Sequence, residues 1–207
     1  MILARTHWVF DLDGTLTVPV HDFAAIRTAL GVPAGADILG FLASLQADRA
    51  RPLHEKLQEI EAGLARRTAA AAGAVPLIER LHGRGARLGV LTRNTRENAL
   101  RTLASIGVGR FFPPASVLGR EEALPKPDPD GVRKLAAMWG AESRELVMVG
   151  DYLYDLQTGR AAGAATVHVD RARAFRWPEL SDLQIGTLEE LVQRLPAAGA
   201  ASRAGEP

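Results

Sequence analysis

Two aspartates near the start of the chain, Asp11 and Asp13, stand two positions apart. They directly follow the apolar run at residues 8–10, which is typical of a buried parallel strand. One carboxylate can attack phosphorus while the other protonates the leaving oxygen and then activates water. The pair therefore predicts phosphotransfer, with Asp11 as nucleophile and Asp13 as acid and base. A structural Asp-rich turn is the alternative.

A second polar segment follows the apolar run at residues 88–91. A hydroxyl and the backbone N–H groups at a helix start can hold phosphoryl oxygens, so Thr92, Arg93 and Asn94 are predicted to bind phosphate. In the alternative interpretation, Thr92 only ends a strand, Asn94 only begins a helix, and Arg93 is a solvated loop charge.

Lys126 lies between two prolines, Pro125 and Pro127, which restrict the backbone on both sides. A rigidly held ammonium can balance the charge of a nucleophilic carboxylate and of the phosphoryl group. We therefore predict that Lys126 has a catalytic and a phosphate-binding role. An exposed lysine in a proline-rich loop is the ordinary alternative.

Two further aspartates, Asp151 and Asp155, follow the apolar run at residues 146–149. Carboxylate oxygens suit Mg²⁺, which needs few protein ligands. The predicted metal site comprises Asp11, Asp13, Asp151 and Asp155, with Asp155 orienting a ligand or acting through water. Asp155 is also compatible with a plain role as an acid in the first turn of a helix.

Strand-like runs alternate with helical patterns in the elements that must position these residues. This predicts an α/β fold: a Rossmann-like core with a parallel sheet and helices on both faces. Between residues 17 and 75 apolar residues recur only at helical spacing, with breaks expected at residues 31–33, at Pro52 and at Gly73 with Pro76. We expect a core at 1–16 and 76–196, an all-helical insert at 17–75 after the first strand, and a flexible tail at 197–207.

Composition excludes several functions. The 207 residues include 25 basic and 24 acidic side chains, interspersed and with a net charge of +1, so no nucleic-acid partner is expected. Cysteine is absent, which excludes disulfides and thiolate chemistry. No apolar run approaches the roughly 20 residues of a membrane span, so we predict a cytoplasmic protein without a membrane partner.

In this order, the four segments resemble the signatures of the haloacid dehalogenase superfamily of hydrolases, over residues 6 to 169. The helical insert resembles the family's first type of cap domain, as in members similar to phosphoglycolate phosphatase and β-phosphoglucomutase. The resemblance implies that Asp11 is the nucleophile and Asp13 the acid and base. It also implies that the backbone carbonyl of Asp13 is a further ligand of the metal. It further implies a phosphate-binding hydroxyl at Thr92, a charge-balancing Lys126 and a magnesium ligand at Asp151.

These observations predict a Mg²⁺-dependent phosphatase that hydrolyses a small-molecule phosphomonoester through a phosphoaspartate. A phosphomutase acting on a sugar phosphate and a non-catalytic binding protein of the same family are the alternatives. Substrate choice is expected to lie in the helical insert, where His21 and Asp22 are the predicted substrate contacts and purely structural roles are the alternative. We expect a monomer or a weak homodimer.

Overall fold

The computed structural model describes residues 2–20 and 22–196 of the chain. The predicted tail at 197–207 and the predicted substrate contact His21 lie outside the described residues. Within the described part of the chain, no helix is long and apolar enough to cross a membrane.

In residues 2–20 and 22–196, six strands form one sheet in the order β3-β2-β1-β4-β5-β6, and every neighbouring pair is parallel. The strands are β1 (His7–Phe10), β2 (Arg87–Leu91), β3 (Val117–Leu118), β4 (Leu146–Gly150), β5 (Ala165–Val169) and β6 (Leu183–Ile185). The first strand lies between β2 and β4, so the residues that follow it emerge near the middle of the sheet.

Eight α-helices in the described residues connect or extend these strands. They are α1 (Phe23–Leu30), α2 (Ile38–Ala43), α3 (Ala47–Ala65), α4 (Ala74–Gly83), α5 (Arg96–Ser105), α6 (Asp130–Trp139), α7 (Leu153–Ala162) and α8 (Leu188–Arg194). Helices α4, α5 and α8 contribute to the apolar layer on one face of the sheet, and α6 to the layer on the other. The predicted fold class is therefore confirmed.

The two apolar layers explain why residues 8–10 of the first strand are apolar. Trp8 and Phe10 pack in the layer with α4, α5 and α8, whereas Val9 packs in the layer with α6. Successive side chains of a strand point to opposite faces, so a strand covered on both sides has no polar position. All three side chains are fully buried.

Helices α1 to α3 have an apolar cluster of their own, which includes Ile26, Leu42 and Leu57. The chain leaves and re-enters the core at one place, because an antiparallel bridge joins Thr17 to Ala70. The helices of the insert thus pack around a separate small core. The boundaries of this insert at 17 and 75 stay a prediction.

Several local predictions were wrong. Pro52 does not break the insert but lies inside α3, whose buried face packs through Leu57. The break predicted at Gly73 with Pro76 is present, by contrast, because α4 begins directly after Gly73 and Pro76 lies in its first turn, where a backbone N–H has no helical partner. Helix α5 begins after Thr95, whose hydroxyl accepts a hydrogen bond from Asn98, so Asn94 is not its N-cap. The short strand β6 was not predicted, because three residues carry too weak a periodicity.

Candidate active site

The predicted site residues converge at the carboxyl edge of the sheet. Phe10 of β1 pairs with Val90 of β2 and Val149 of β4, so the residues that follow these strands come out side by side. A cavity of about 350 Å³ opens there, between the sheet edge and the helical insert. Among the predicted residues, those that line it are Asp11, Asp13, Thr92, Arg93, Asn94, Lys126, Asp151 and Asp155.

Lys126 joins two of the aspartates at the buried end of this cavity. Its Nζ donates to Oδ1 of Asp11 and to Oδ1 of Asp155, at 2.5 Å each. All three side chains are less than 10% exposed. The peptide bond between Lys126 and Pro127 is cis. Because two buried carboxylates hold its ammonium, the lysine is a fixed counter-charge and not an exposed loop residue.

The electrostatics of the cluster reflect an excess of negative charge. Burial raises the pKa of Asp11 well above its usual range; Lys126 opposes this, and Asp155 and Asp151 add to it. Burial and then the Asp155 charge raise the pKa of Asp151 to about 6. Burial alone would lower the pKa of Lys126, but Asp11 and Asp155 raise it. The single positive charge of Lys126 thus faces the three carboxylates of Asp11, Asp151 and Asp155.

Hydrogen bonds hold the carboxylates of Asp151 and Asp155 in place. The Thr15 hydroxyl donates to Oδ1 of Asp151 at 3.1 Å. The Tyr152 backbone N–H donates to Oδ2 of Asp155 at 3.0 Å, at the start of α7. A side chain at Gly150 would collide with the Asp155 carboxyl, which explains the glycine at the end of β4.

A divalent cation fits this arrangement. Oxygens of Asp11, Asp151 and Asp155 lie within 4.8 Å of one another. Carboxylate oxygens are the donors that Mg²⁺ prefers, and two positive charges would balance the cluster around Lys126. Both Asp155 oxygens already accept hydrogen bonds, so Asp11 and Asp151 are better direct ligands and Asp155 is better suited to orientation.

Asp13 lies half-buried on the turn Leu12–Leu16 that follows the nucleophile candidate. Gly14 in this turn has φ of 96°, and a Cβ there would lie 2.5 Å from Oδ2 of Asp151. Glycine therefore lets the turn approach Asp151 closely. The Asn94 amide lies 3.5 Å from the Asp13 carboxylate.

The loop after β2 is held by its own hydrogen bonds. Oγ1 of Thr92 accepts from the Asn94 N–H at 3.1 Å, and Oδ1 of Asn94 accepts from the Thr95 N–H at 2.8 Å. These two backbone donors are thus already used, contrary to the expectation that they would bind phosphate. The Thr92 oxygen acts as acceptor here, so its hydroxyl hydrogen can donate to a phosphoryl oxygen.

Sequence reasoning missed two contacts between the helical insert and the sheet edge. Arg93 pairs with Asp37 at 2.7 Å, and its guanidinium lies over the Tyr154 ring. Glu61 of α3 pairs with Arg120 at 2.8 Å. One signal was available: Glu61 stands four residues after the buried Leu57, on the apolar stripe of α3, where a charge needs a partner.

The predicted substrate contact Asp22 is not among the cavity-lining residues. It is exposed and accepts a hydrogen bond from the Ala25 N–H at 2.9 Å, as the N-cap of α1. The structure therefore gives Asp22 a helix-stabilising position, and its role toward a substrate stays a prediction.

A parallel sheet with an aspartate-lined crevice at its carboxyl edge is typical of α/β proteins that bind or convert a ligand there, and comparison with known proteins identifies the family. Residues 7–163 match the model of the haloacid dehalogenase-like hydrolases. The chain belongs to this family, as the sequence predicted.

Relatives and solved structures agree with this assignment. A haloacid dehalogenase-like hydrolase domain-containing protein of Arabidopsis thaliana is 35% identical over 81% of this chain and 71% of its own length. A phosphoglycolate phosphatase of Rhodospirillum rubrum is 33% identical over 77% of each chain. The crystal structure of a hydrolase from Pseudomonas syringae has the same fold, with a TM-score of 0.75, 24% identity and coverage of 92% of this chain and 98% of that one. The predicted enzyme class, a hydrolase of the phosphatase type, is confirmed.

Proposed function

We propose that the protein is a Mg²⁺-dependent phosphatase that hydrolyses a small-molecule phosphomonoester through a phosphoaspartate intermediate. The observation that carries this proposal is the convergence of Asp11, Asp13 and Lys126 at the floor of one cavity. Similarity to a phosphoglycolate phosphatase supports the substrate class. A cytoplasmic location and a monomeric or weakly dimeric state stay predictions.

In the first half of the reaction, a carboxylate oxygen of Asp11 attacks phosphorus and the bond from phosphorus to the leaving oxygen breaks. Asp13 gives its proton to that oxygen, so the product leaves as a neutral alcohol. Lys126 is held 2.5 Å from Asp11, where it can stabilise the charge of the phosphoryl oxygens. The Thr92 hydroxyl donates to one of these oxygens.

In the second half, Asp13 takes a proton from water, and the water oxygen attacks the phosphorus of the acyl phosphate. The bond to Asp11 breaks, inorganic phosphate leaves and the carboxylate is restored. Asp11 and Asp151 would bind Mg²⁺, together with the backbone carbonyl of Asp13, and Asp155 would orient them. When bound, the metal supplies positive charge that keeps Asp11 ionised and stabilises the phosphoryl oxygens.

A phosphomutase would need an acid and base in the helical insert. In the helical insert, His21, His54 and Lys56 have side chains of a type that could take this role. Among the described residues, neither His54 nor Lys56 lines the cavity, and Lys56 donates to the carbonyl of Ala29 at 2.8 Å. No observation thus favours the mutase over the phosphatase.

Substitution of the proposed nucleophile tests the function. We expect wild-type protein with Mg²⁺ to release phosphate from members of a phosphomonoester panel. Asp11→Asn should lower kcat by at least about 10³-fold, since removal of a nucleophile abolishes the covalent step. The same variant should keep its fold, because asparagine has the same shape and Lys126 retains Asp155. Full turnover by Asp11→Asn would show that Asp11 is not the nucleophile.

A further inference from the structure

A buried ion pair joins the helical insert to the sheet edge beside the cavity. Glu61 of α3 accepts a hydrogen bond of 2.8 Å from Nη1 of Arg120, in the loop after β3. Both side chains are 10% exposed. Nη1 of Arg120 also donates to the backbone carbonyl of Arg93 at 3.4 Å. Glu61 itself lines the cavity, so the pair presents its carboxylate side to a bound substrate.

This ion pair leaves one acceptor and one donor unused. Oε2 of Glu61 and Nη2 of Arg120 are both buried and have no hydrogen-bond partner within the described part of the chain. Buried polar groups in proteins are nearly always paired. A carboxylate oxygen accepts and a guanidinium N–H donates, whereas a hydroxyl group does both. A hydroxyl is thus the small group that best matches the unused capacity of this pair.

Glu61 also lies within electrostatic reach of Asp13. Burial raises the pKa of Glu61, Arg120 lowers it, and the Asp13 charge raises it further. In the proposed reaction Asp13 protonates the leaving oxygen. Asp13 and Glu61 line the same cavity, so the alcohol part of a substrate bound at Asp13 shares this cavity with Glu61.

We infer that Glu61, held by Arg120, binds a hydroxyl group of the leaving alcohol, so that the substrate is a phosphomonoester of a polyol or sugar. This inference rests on the proposed phosphatase function and names its substrate class. A carboxylate in the same place would be repelled by Glu61, whereas an ammonium would satisfy Oε2 of Glu61 but would leave Nη2 of Arg120 without an acceptor.

Four phosphate esters of two-carbon alcohols test this inference, since they differ only in the group at the far carbon. These are 2-hydroxyethyl phosphate, ethyl phosphate, phosphoglycolate and phosphoethanolamine. With wild-type protein and Mg²⁺, kcat/KM for 2-hydroxyethyl phosphate should exceed that for each of the other three by about tenfold, as expected for one hydrogen bond to a charged group.

The failures of the two proposals are distinguishable. Equal kcat/KM for 2-hydroxyethyl and ethyl phosphate, or a preference for phosphoglycolate or phosphoethanolamine, would overturn the substrate class and leave the phosphatase standing. If no phosphate were released from any of the four esters or from p-nitrophenyl phosphate, the proposed function would be wrong and the substrate class with it.

Substitutions of Glu61 and Arg120 test whether this pair causes the preference for 2-hydroxyethyl phosphate over ethyl phosphate. Glu61→Gln should lower the ratio of kcat/KM for 2-hydroxyethyl to ethyl phosphate. Replacing both partners, with Glu61→Met and Arg120→Met together, should bring the ratio to about one without leaving an uncompensated buried charge. Glu79→Gln is the matched control, because Glu79 pairs with Arg110 at 2.9 Å on the exposed surface. An unchanged ratio in the folded double variant would overturn the inference.

Discussion

The sheet edge and the helical insert hold their charged side chains in different ways. At the edge, Lys126 is buried between Asp11 and Asp155, and Asp155 has a second partner in the backbone of α7. In the insert, Asp22 and Asp37 are N-caps of short helices, and both are solvent-exposed. Charges at the edge are thus fixed before a substrate arrives, whereas Asp22 and Asp37 are held by weaker, exposed contacts. Substitutions at the sheet edge should therefore lower both the catalytic rate and the free energy of unfolding. Substitutions in the insert should change mainly the affinity for substrate.

Lys126→Met should have the largest effect on both properties. It removes the counter-charge of the nucleophile, which should lower kcat/KM by about 10²- to 10³-fold. It also leaves two buried carboxylates without their ammonium, which should lower the free energy of unfolding by about 3–5 kcal/mol. Phosphate release and urea unfolding measure the two effects.

Lys134→Met is the control for this substitution. Lys134 is half exposed and pairs with Asp130 four residues earlier in α6, so its loss should cost less than about 1 kcal/mol. Similar losses of stability in the two lysine variants would contradict the view that the buried ion pairs of Lys126 stabilise the sheet edge.

The pH dependence of stability should reveal the excess negative charge at the edge. The pKa of Asp151 is raised to about 6 by burial first and then by Asp155. An acid whose pKa rises on folding stabilises the folded state below its unfolded pKa, and this contribution is lost as the pH rises through the folded value. Without metal, the unfolding free energy of wild type relative to Asp151→Asn should fall by on the order of 1–2 kcal/mol between about pH 4 and 7.

Urea unfolding in chelator at several pH values measures this difference. Adding Mg²⁺ at pH 7 should stabilise the wild type and have much less effect on Asp151→Asn, because the metal binds the ionised carboxylate. A difference that stayed constant from pH 4 to 7 would mean that Asp151 is not destabilised by its surroundings.

The sequence predicts the site residues of the sheet edge better than the contacts of the insert, because only the former follow from a local sequence pattern. Asp11, Thr92 and Asp151 each follow an apolar strand directly, and parallel register brings such positions together. The contacts of the insert join residues far apart in the sequence: Arg93 comes 56 positions after Asp37, and Arg120 comes 59 positions after Glu61. No local pattern specifies such pairs. They depend on how α2 and α3 pack, which helical periodicity alone does not fix.

Asp37 tests the contact between the two regions. Asp37→Asn keeps an N-cap acceptor for the Gly40 N–H but removes the negative partner of Arg93. The pair is partly exposed, so we expect a stability loss below about 1 kcal/mol. Because Arg93 lines the cavity, KM should change by a few fold while kcat is retained. Asp37→Ala should cost about 1 kcal/mol more, since it also removes the N-cap. A loss of kcat as large as that of Lys126→Met would mean that the insert takes part in the chemistry.

Substitutions of Asp22 should have the smallest effect. They distinguish a role of Asp22 as a helix cap from a role as a substrate contact. Asp22→Ala removes the acceptor for the Ala25 N–H and should destabilise α1 by about 1 kcal/mol. Asp22→Asn retains that acceptor and removes only the charge, so stability should hardly change. Since Asp22 does not line the cavity, kcat/KM should stay within about twofold of wild type in Asp22→Asn. A KM that rose tenfold in this variant would instead assign the Asp22 charge to substrate binding, and the insert would then contribute more to recognition than its contacts with the sheet edge indicate.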